Sequence, residues 1–254
     1  MCHTDSDFPV LGPAITTASG SELTLTAADG GVSRAFLAVP AKPSGAGVVV
    51  LPDNRGLHHF YEELACSLAE QGHFAVAIDY FGRTAGAAPR DESFQPQEHL
   101  PKVTRGTIDA DLAAATKVLT DSAGTALKSL FTIGFCFGGR HSFLSSAPQY
   151  GTAGVIGFYG FPGSWPNGAL GPTARVAELG APVLGFFGGA DQGIPASDVS
   201  AFDEALAGAK IPHDIVTYPG APHSFFDRHL TEYAGAAQDA WARSLAFIGS
   251  HASA

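Results

Sequence analysis

Residues 132–139 read TIGFCFGG. A cysteine stands between one glycine and a glycine pair, directly after the apolar run Ser129–Phe135. Gly134-Phe135-Cys136-Phe137-Gly138 has the G-x-nucleophile-x-G form of a tight, strained turn from a strand into a helix. The flanking glycines remove side chains that would clash, and the central residue is held out for attack. A thiol that merely packs in a core needs no such glycines. A phosphatase loop would separate its Cys and Arg by five residues, whereas only three separate Cys136 from Arg140. A dinucleotide fingerprint would carry Gly where Cys136 stands.

The segments around the turn predict its setting. SELTLTA (21–27) and SRAFLAVP (33–40) alternate polar and apolar residues around ADGG, a hairpin pattern. AGVVVLP (46–52) is a continuous β-branched run, as in a strand buried on both faces. Residues 59–72 place Phe60, Leu64 and Leu68 at helical spacing before a glycine stop, and 73–80 read as the next strand. Ile108, Leu112, Ala115 and Leu119 mark a helix over 106–121, and the residues after Cys136 read as another. Further strands are expected at 129–135, 153–160, 181–189 and 213–220. A closing helix is expected over 232–249, with Trp241, Leu245 and Ile248 facing inward. Strands alternating with helices imply a mostly parallel sheet covered on both faces, with the antiparallel N-terminal hairpin at one edge. With no repeat and no low-complexity linker, the 254 residues read as one domain preceded by an arm over residues 1–18.

In such a sheet the ligand sits beyond the carboxyl ends of the strands. Reading those ends in order yields Cys136, Asp191 and His223. Nucleophile, acid, histidine is the chain order of a triad built on this kind of elbow. His223 would take the thiol proton, Asp191 would fix the imidazole tautomer, and the start of the following helix favours a thiolate.

GFCFGG, GFYGFPG, FFGGADQGIP and PHSFFDR at these spacings resemble the dienelactone hydrolase family of α/β-hydrolases, from about residue 20 to the end. The resemblance implies an α/β-hydrolase fold with Cys136 as nucleophile, Asp191 as acid and His223 as base. It implies an acidic residue at position 53 that helps activate the nucleophile; here this is Asp53, where Glu is commoner. It implies an oxyanion hole from the backbone N–H groups of Phe137 and Asn54. Arg83 matches one of the arginines that hold a substrate carboxylate. The position of the second is Asp227, with Arg228 one residue on, and Pro222 stands where Gly is commoner. The implied substrate is a carboxymethylenebutenolide or a related small lactone or ester, opened through an acyl-thioester without a cofactor. A broader carboxylesterase or thioesterase for neutral substrates, or a non-catalytic scaffold with a redox-sensing Cys136, are the alternatives.

Composition narrows the rest. A net charge of −10 argues against nucleic-acid or anionic-membrane partners. Hydrophobic residues make up 45% without an uninterrupted run of membrane-spanning length. The three cysteines, Cys2, Cys66 and Cys136, do not form a disulfide framework, and the first residues lack the pattern of a secretory leader. A cytoplasmic monomer or small homo-oligomer is therefore expected. His58-His59 and His223/Asp227/His229 invite a metal reading; the first pair reads as lacking acidic or thiolate company and the second gives His223 to the triad, so no metal is expected. Cys66 reads as a packing thiol. Phe161 and Trp165 follow a strand end, as either pocket lining or core.

Overall fold

The computed structural model describes residues 8–90, 93–165, 168–227 and 229–253. In chain order the main elements are β1 (Ala18–Thr26), β2 (Val32–Pro40), β3 (Ala46–Leu51), α1 (His59–Glu70), β4 (Phe74–Ile78), α2 (Gly82–Ala85), α3 (Pro96–His99) and α4 (Arg105–Ala123). They continue as β5 (Ser129–Phe135), α5 (Phe137–Leu144), β6 (Thr152–Phe158), β7 (Val183–Gly188), α6 (Ala196–Gly208), β8 (His213–Tyr218) and α7 (Ala234–His251).

All eight strands form one sheet in the order β1-β2-β4-β3-β5-β6-β7-β8. The hairpin β1–β2 is antiparallel and joins the sheet through an antiparallel β2–β4 pairing; every other neighbour pair is parallel. The expected architecture is therefore present, and its central strands show why they carry no polar alternation. Val48 and Val50 of β3 join one buried cluster, while Val49 and Leu51 join the other. In β4, Ala75 and Ala77 face the first cluster, and Phe74, Val76 and Ile78 the second. A strand covered on both faces has no solvent side to spend polar residues on.

Helices supply both covers. Phe60, Leu64 and Leu68 of α1, Phe202 and Leu206 of α6, and Trp241 and Ile248 of α7 fill the first cluster. Ile108, Leu112, Ala115 and Leu119 of α4 fill the second, on the face predicted for them. Each fully buried side chain of this size stabilises the fold by about 1.5–3 kcal/mol relative to exposure. α4 begins at Arg105 because Thr104 and Thr107 form a reciprocal capping box: the Thr104 hydroxyl accepts from the Thr107 N–H at 3.2 Å, and the Thr107 hydroxyl accepts from the Thr104 N–H at 3.0 Å.

β1 starts at Ala18, three residues before the predicted strand, so the arm ends earlier than expected. The described part of the arm lies against α1: the Ile15 and Thr16 N–H groups donate to the Glu70 carbonyl, and Phe8 packs edge-on against Phe60 at 5.2 Å. Among the described residues, no helix is long and apolar enough to cross a membrane.

Candidate active site

The turn at Cys136 is as tight as its glycines suggest. Cys136 has φ 53° and ψ −111°, in the left-handed half of backbone space, and stands directly before α5. Its N–H donates to the Phe158 carbonyl of β6 at 3.0 Å, and its carbonyl accepts from the Arg140 N–H at 3.2 Å. A Cβ on Gly134 would come within 2.1 Å of the Gly138 carbonyl oxygen, and one on Gly138 within 2.0 Å of the Leu51 carbonyl oxygen. The elbow is therefore wedged between the ends of β3 and β6, and only glycine fits at either flank.

Asp191 follows β7 and His223 follows β8. Their loops are tied together by backbone bonds from Gly189 to Tyr218 at 2.8 Å and from Ala190 to Ala221 at 2.9 Å. His223 Nδ1 meets Asp191 Oδ2 at 2.6 Å, and the other carboxylate oxygen accepts from the Gly193 and Ile194 N–H groups at 2.8 and 3.2 Å. Burial pushes the Asp191 carboxyl up. The His223 bond and charge and the two amides outweigh it and hold Asp191 below the usual carboxylate range.

Tyr159, at the end of β6, borders both sides of this centre. Its ring lies 5.0 Å from the His223 ring. Burial pushes its phenol well up, as do the nearby Cys136, Asp53 and Asp227, with Arg55 opposing them. Tyr159 is thus fully buried with its ring against His223, and the charges that bear on its phenol are those of Cys136, Asp53, Asp227 and Arg55.

Asp53 begins a turn closed by the Gly56 N–H on the Asp53 carbonyl at 3.2 Å. Its side chain is buried and occupied by Arg55: the Arg55 backbone N–H donates to Oδ1 at 2.8 Å, and Nη2 and Nε donate to Oδ2 at 3.2 and 3.4 Å. His58 Nε2 lies 3.8 Å from the same Oδ2 and accepts from Arg55 Nη2 at 2.8 Å. Burial pushes Asp53 up, but His58 and Arg55 hold it at about 2, below the ordinary 3.8. Asn54 sits inside this turn, whose own bonds use the Arg55 and Gly56 N–H groups. Phe137 opens α5, with its ring against Tyr80 at 5.3 Å and His141 at 4.6 Å.

Sequence reading passed over Arg55. The signal was available, since it is a cation two residues after a strand-end carboxylate. It also placed His58 and His59 without acidic neighbours, whereas His59 reaches Glu62 at 3.4 Å and Glu63 at 3.5 Å, and His58 faces Asp53. Among the described residues no group of three His, Cys, Asp or Glu is arranged to hold a metal ion. Arg83, on α2, donates from Nη1 to Asp29 of the hairpin turn at 2.9 Å and from Nη2 to Asp111 of α4 at 2.7 Å. Arg228 lies outside the described residues. Phe161 and Trp165 line neither alternative cleanly: both rings cover the buried Arg140 guanidinium, at 5.9 and 5.0 Å, and Trp165 remains partly exposed.

A sequence model described as the dienelactone hydrolase family matches residues 33–252. A protein of Methylorubrum extorquens provisionally named carboxymethylenebutenolidase is 33% identical over 84% of this chain and 75% of its own. A Yersinia pestis protein with the same provisional name is 30% identical over 85% of this chain and 83% of its own. The crystal structure of a provisionally assigned dienelactone hydrolase from Klebsiella pneumoniae superposes with a TM-score of 0.78 at 28% identity, covering 92% of this chain and 99% of that one.

Proposed function

The chain belongs to the dienelactone hydrolase family, hydrolases of lactone and ester bonds, and we propose that it opens its substrate through a Cys136–His223–Asp191 triad and an acyl-thioester. The observation that carries this reading is the 2.6 Å Asp191–His223 bond at the strand ends, with His223 sharing Tyr159 as neighbour with the elbow thiol. An imidazole whose Nδ1–H is fixed on a carboxylate presents a basic Nε2.

His223 Nε2 takes the proton of the Cys136 thiol as Sγ adds to the substrate carbonyl carbon. The carbonyl π pair moves onto oxygen, where the Phe137 and Asn54 N–H groups receive the charge. Collapse breaks the ring or ester C–O bond, and the leaving oxygen takes the proton from His223. In a lactone that oxygen stays tethered to the acyl group. A water then gives its proton to His223 and its oxygen to the thioester carbon; the Cys136 thiolate departs and is reprotonated. Asp191 orients and stabilises the imidazolium at each stage without accepting its proton. With both Asp53 oxygens taken by Arg55, deprotonation falls to His223, and Asp53 acts by holding Arg55 beside the site.

For a carboxylated lactone the clamp is Arg83, which exchanges Asp29 or Asp111 for the substrate carboxylate. One observation favours a second reading, a carboxylesterase of neutral substrates: both guanidinium ends of Arg83 are already occupied, and Asp227 stands where the family pattern has its second arginine. Turnover across lactones and p-nitrophenyl esters of different charge separates the two. The shared chemistry is tested by mass spectrometry after mixing with a slow ester. An acyl adduct on Cys136, and none in Cys136→Ala, is expected; an adduct on Cys66 or full activity of Cys136→Ala would remove the triad.

A further inference from the structure

The turn that carries Asn54 is anchored from three directions. Tyr80 donates its hydroxyl to the Pro52 carbonyl at 2.9 Å, and the Asp53 N–H donates to the Tyr61 oxygen at 2.9 Å. The third anchor is the carboxylate of Asp79, a fully buried residue at the end of β4. Its Oδ1 accepts from the Leu57 N–H at 3.4 Å, and its Oδ2 accepts from the Phe81 N–H at 3.3 Å and from Arg90 Nη2 at 2.7 Å. The contact with the turn is close enough that a Cβ on Gly56, which has φ +81°, would stand 2.5 Å from Asp79 Oδ1. Arg90 comes from a different segment. Nη2 also donates to the Gly86 carbonyl at 3.0 Å, and the guanidinium lies over Phe81 at 5.6 Å and Phe94 at 4.7 Å.

A buried ion pair is weak evidence for stability, because desolvating two charges offsets much of their attraction. What a carboxylate supplies that an apolar side chain cannot is fixed direction, since one group receives three donors from three places. We propose that the buried Asp79–Arg90 pair positions the oxyanion hole: it sets the backbone of the 53–57 turn and, through it, the Asn54 N–H that meets the developing charge. The inference rests on the oxyanion assignment made above and adds two positioning residues to it. The coupling has a physical route. Burial pushes the Asp79 carboxyl up and Arg90 opposes that push. Without Arg90 the buried carboxylate loses its 2.7 Å charge-assisted donor, its plane is no longer fixed, and the hold of Oδ1 on the Leu57 N–H weakens.

Two reactions of the same thiol separate this role from general disruption. Acylation by p-nitrophenyl acetate builds charge on a carbonyl oxygen and uses the hole. Alkylation by iodoacetamide does not, because the thiolate displaces iodide from a methylene carbon. Arg90→Gln is expected to slow acylation about tenfold or more with KM changed less than twofold, since one misplaced oxyanion donor costs on the order of 10²–10³ when lost outright. Alkylation at Cys136, followed by mass spectrometry, should stay within twofold of the wild-type rate, and Arg90→Lys should restore part of the acylation. Equal slowing of both reactions, or no change in acylation, overturns the proposal. Asp79→Asn gives the same comparison from the other partner. If the wild-type enzyme still turns over esters once Cys136 is alkylated, the nucleophile assignment fails and this inference fails with it.

Discussion

Two carboxylate–imidazole pairs lie at the carboxyl ends of these strands, and they are built differently. Asp191 gives one oxygen to backbone amides and the other to His223, at 2.6 Å. Asp53 gives both oxygens to Arg55, and His58 stands 3.8 Å off, its Nε2 engaged by the same guanidinium. An Asp near a His is thus insufficient to make a base. In the first pair the carboxylate charge is directed at the imidazole, so that an imidazolium is stabilised. In the second the carboxylate charge is divided between His58 and a guanidinium that also engages the His58 Nε2.

The largest expected effect breaks this comparison directly. His223→Gln should lower kcat/KM by on the order of 10³-fold or more, and Asp191→Asn by a similar factor through the wrong tautomer. His58→Gln should cost less than tenfold. Steady-state kinetics on one neutral ester checks all three, and comparable losses at His58 and His223 would erase the distinction drawn here. Cys136→Ser sharpens it further: the hydroxyl needs a stronger base than His223, so turnover should fall steeply although the geometry is kept.

Asp53→Asn comes next. It leaves Arg55 without its counter-ion, so a kcat loss of about tenfold should be accompanied by a lower Tm. Wild-type values of both would dismiss Asp53 altogether. Acid titration tests the same group. Its folded value of about 2 lies below the ordinary 3.8, so its contribution to stability is full above pH 4 and is lost as pH falls towards 2. Denaturant melts of Asp53→Asn should lack that part of the acid dependence.

Arg83→Ala should lower the ratio of kcat/KM for a carboxylated lactone over a neutral ester by about tenfold, because each charge-assisted bond to a carboxylate is worth about 1.5–3 kcal/mol. An unchanged ratio with a lower Tm would make Arg83 a tie between the hairpin and α4, and the enzyme an esterase of neutral substrates.

The smallest effect extends the comparison to an imidazole held by a hydroxyl. Buried His73 meets the Ser44 hydroxyl at 2.8 Å, and burial lowers it from 6.5 to about 4. The folded state keeps the ring neutral while the unfolded chain takes up a proton. Stability is therefore full above pH 6.5 and declines as pH falls towards 4, by about 1 kcal/mol per unit at the steepest. His73→Asn should flatten that slope; an unaltered slope would place the acid sensitivity elsewhere.

What the sequence could carry depended on whether the signal was local. β5 matches its expected bounds because an unbroken apolar run ends at a turn with its own chemistry. Asp191 and His223 were legible as strand-end residues although 32 positions separate them. The α6 helix was not anticipated: its buried side chains are Val199, Phe202 and Leu206, a thin stripe among small and polar residues. The partners of Arg83 lie 54 and 28 positions away, on a hairpin turn and on α4, and no local pattern indicates that two aspartates will converge on one guanidinium. The Asp79 anchor was hidden for the same reason, since beyond the neighbouring Phe81 N–H its donors lie 22 and 11 positions away, at Leu57 and Arg90.

The cramped elbow has a consequence for redesign. Backbone carbonyls stand where any side chain at 134 or 138 would go, while position 136 itself is only half-buried. A directed library that keeps both glycines and varies position 136 can exchange the attacking atom, sulfur for oxygen, without rebuilding the turn. One that varies the glycines must move the ends of β3 and α5 before it changes any chemistry. The same mould thus accepts different reagents at its centre and refuses alteration at its walls.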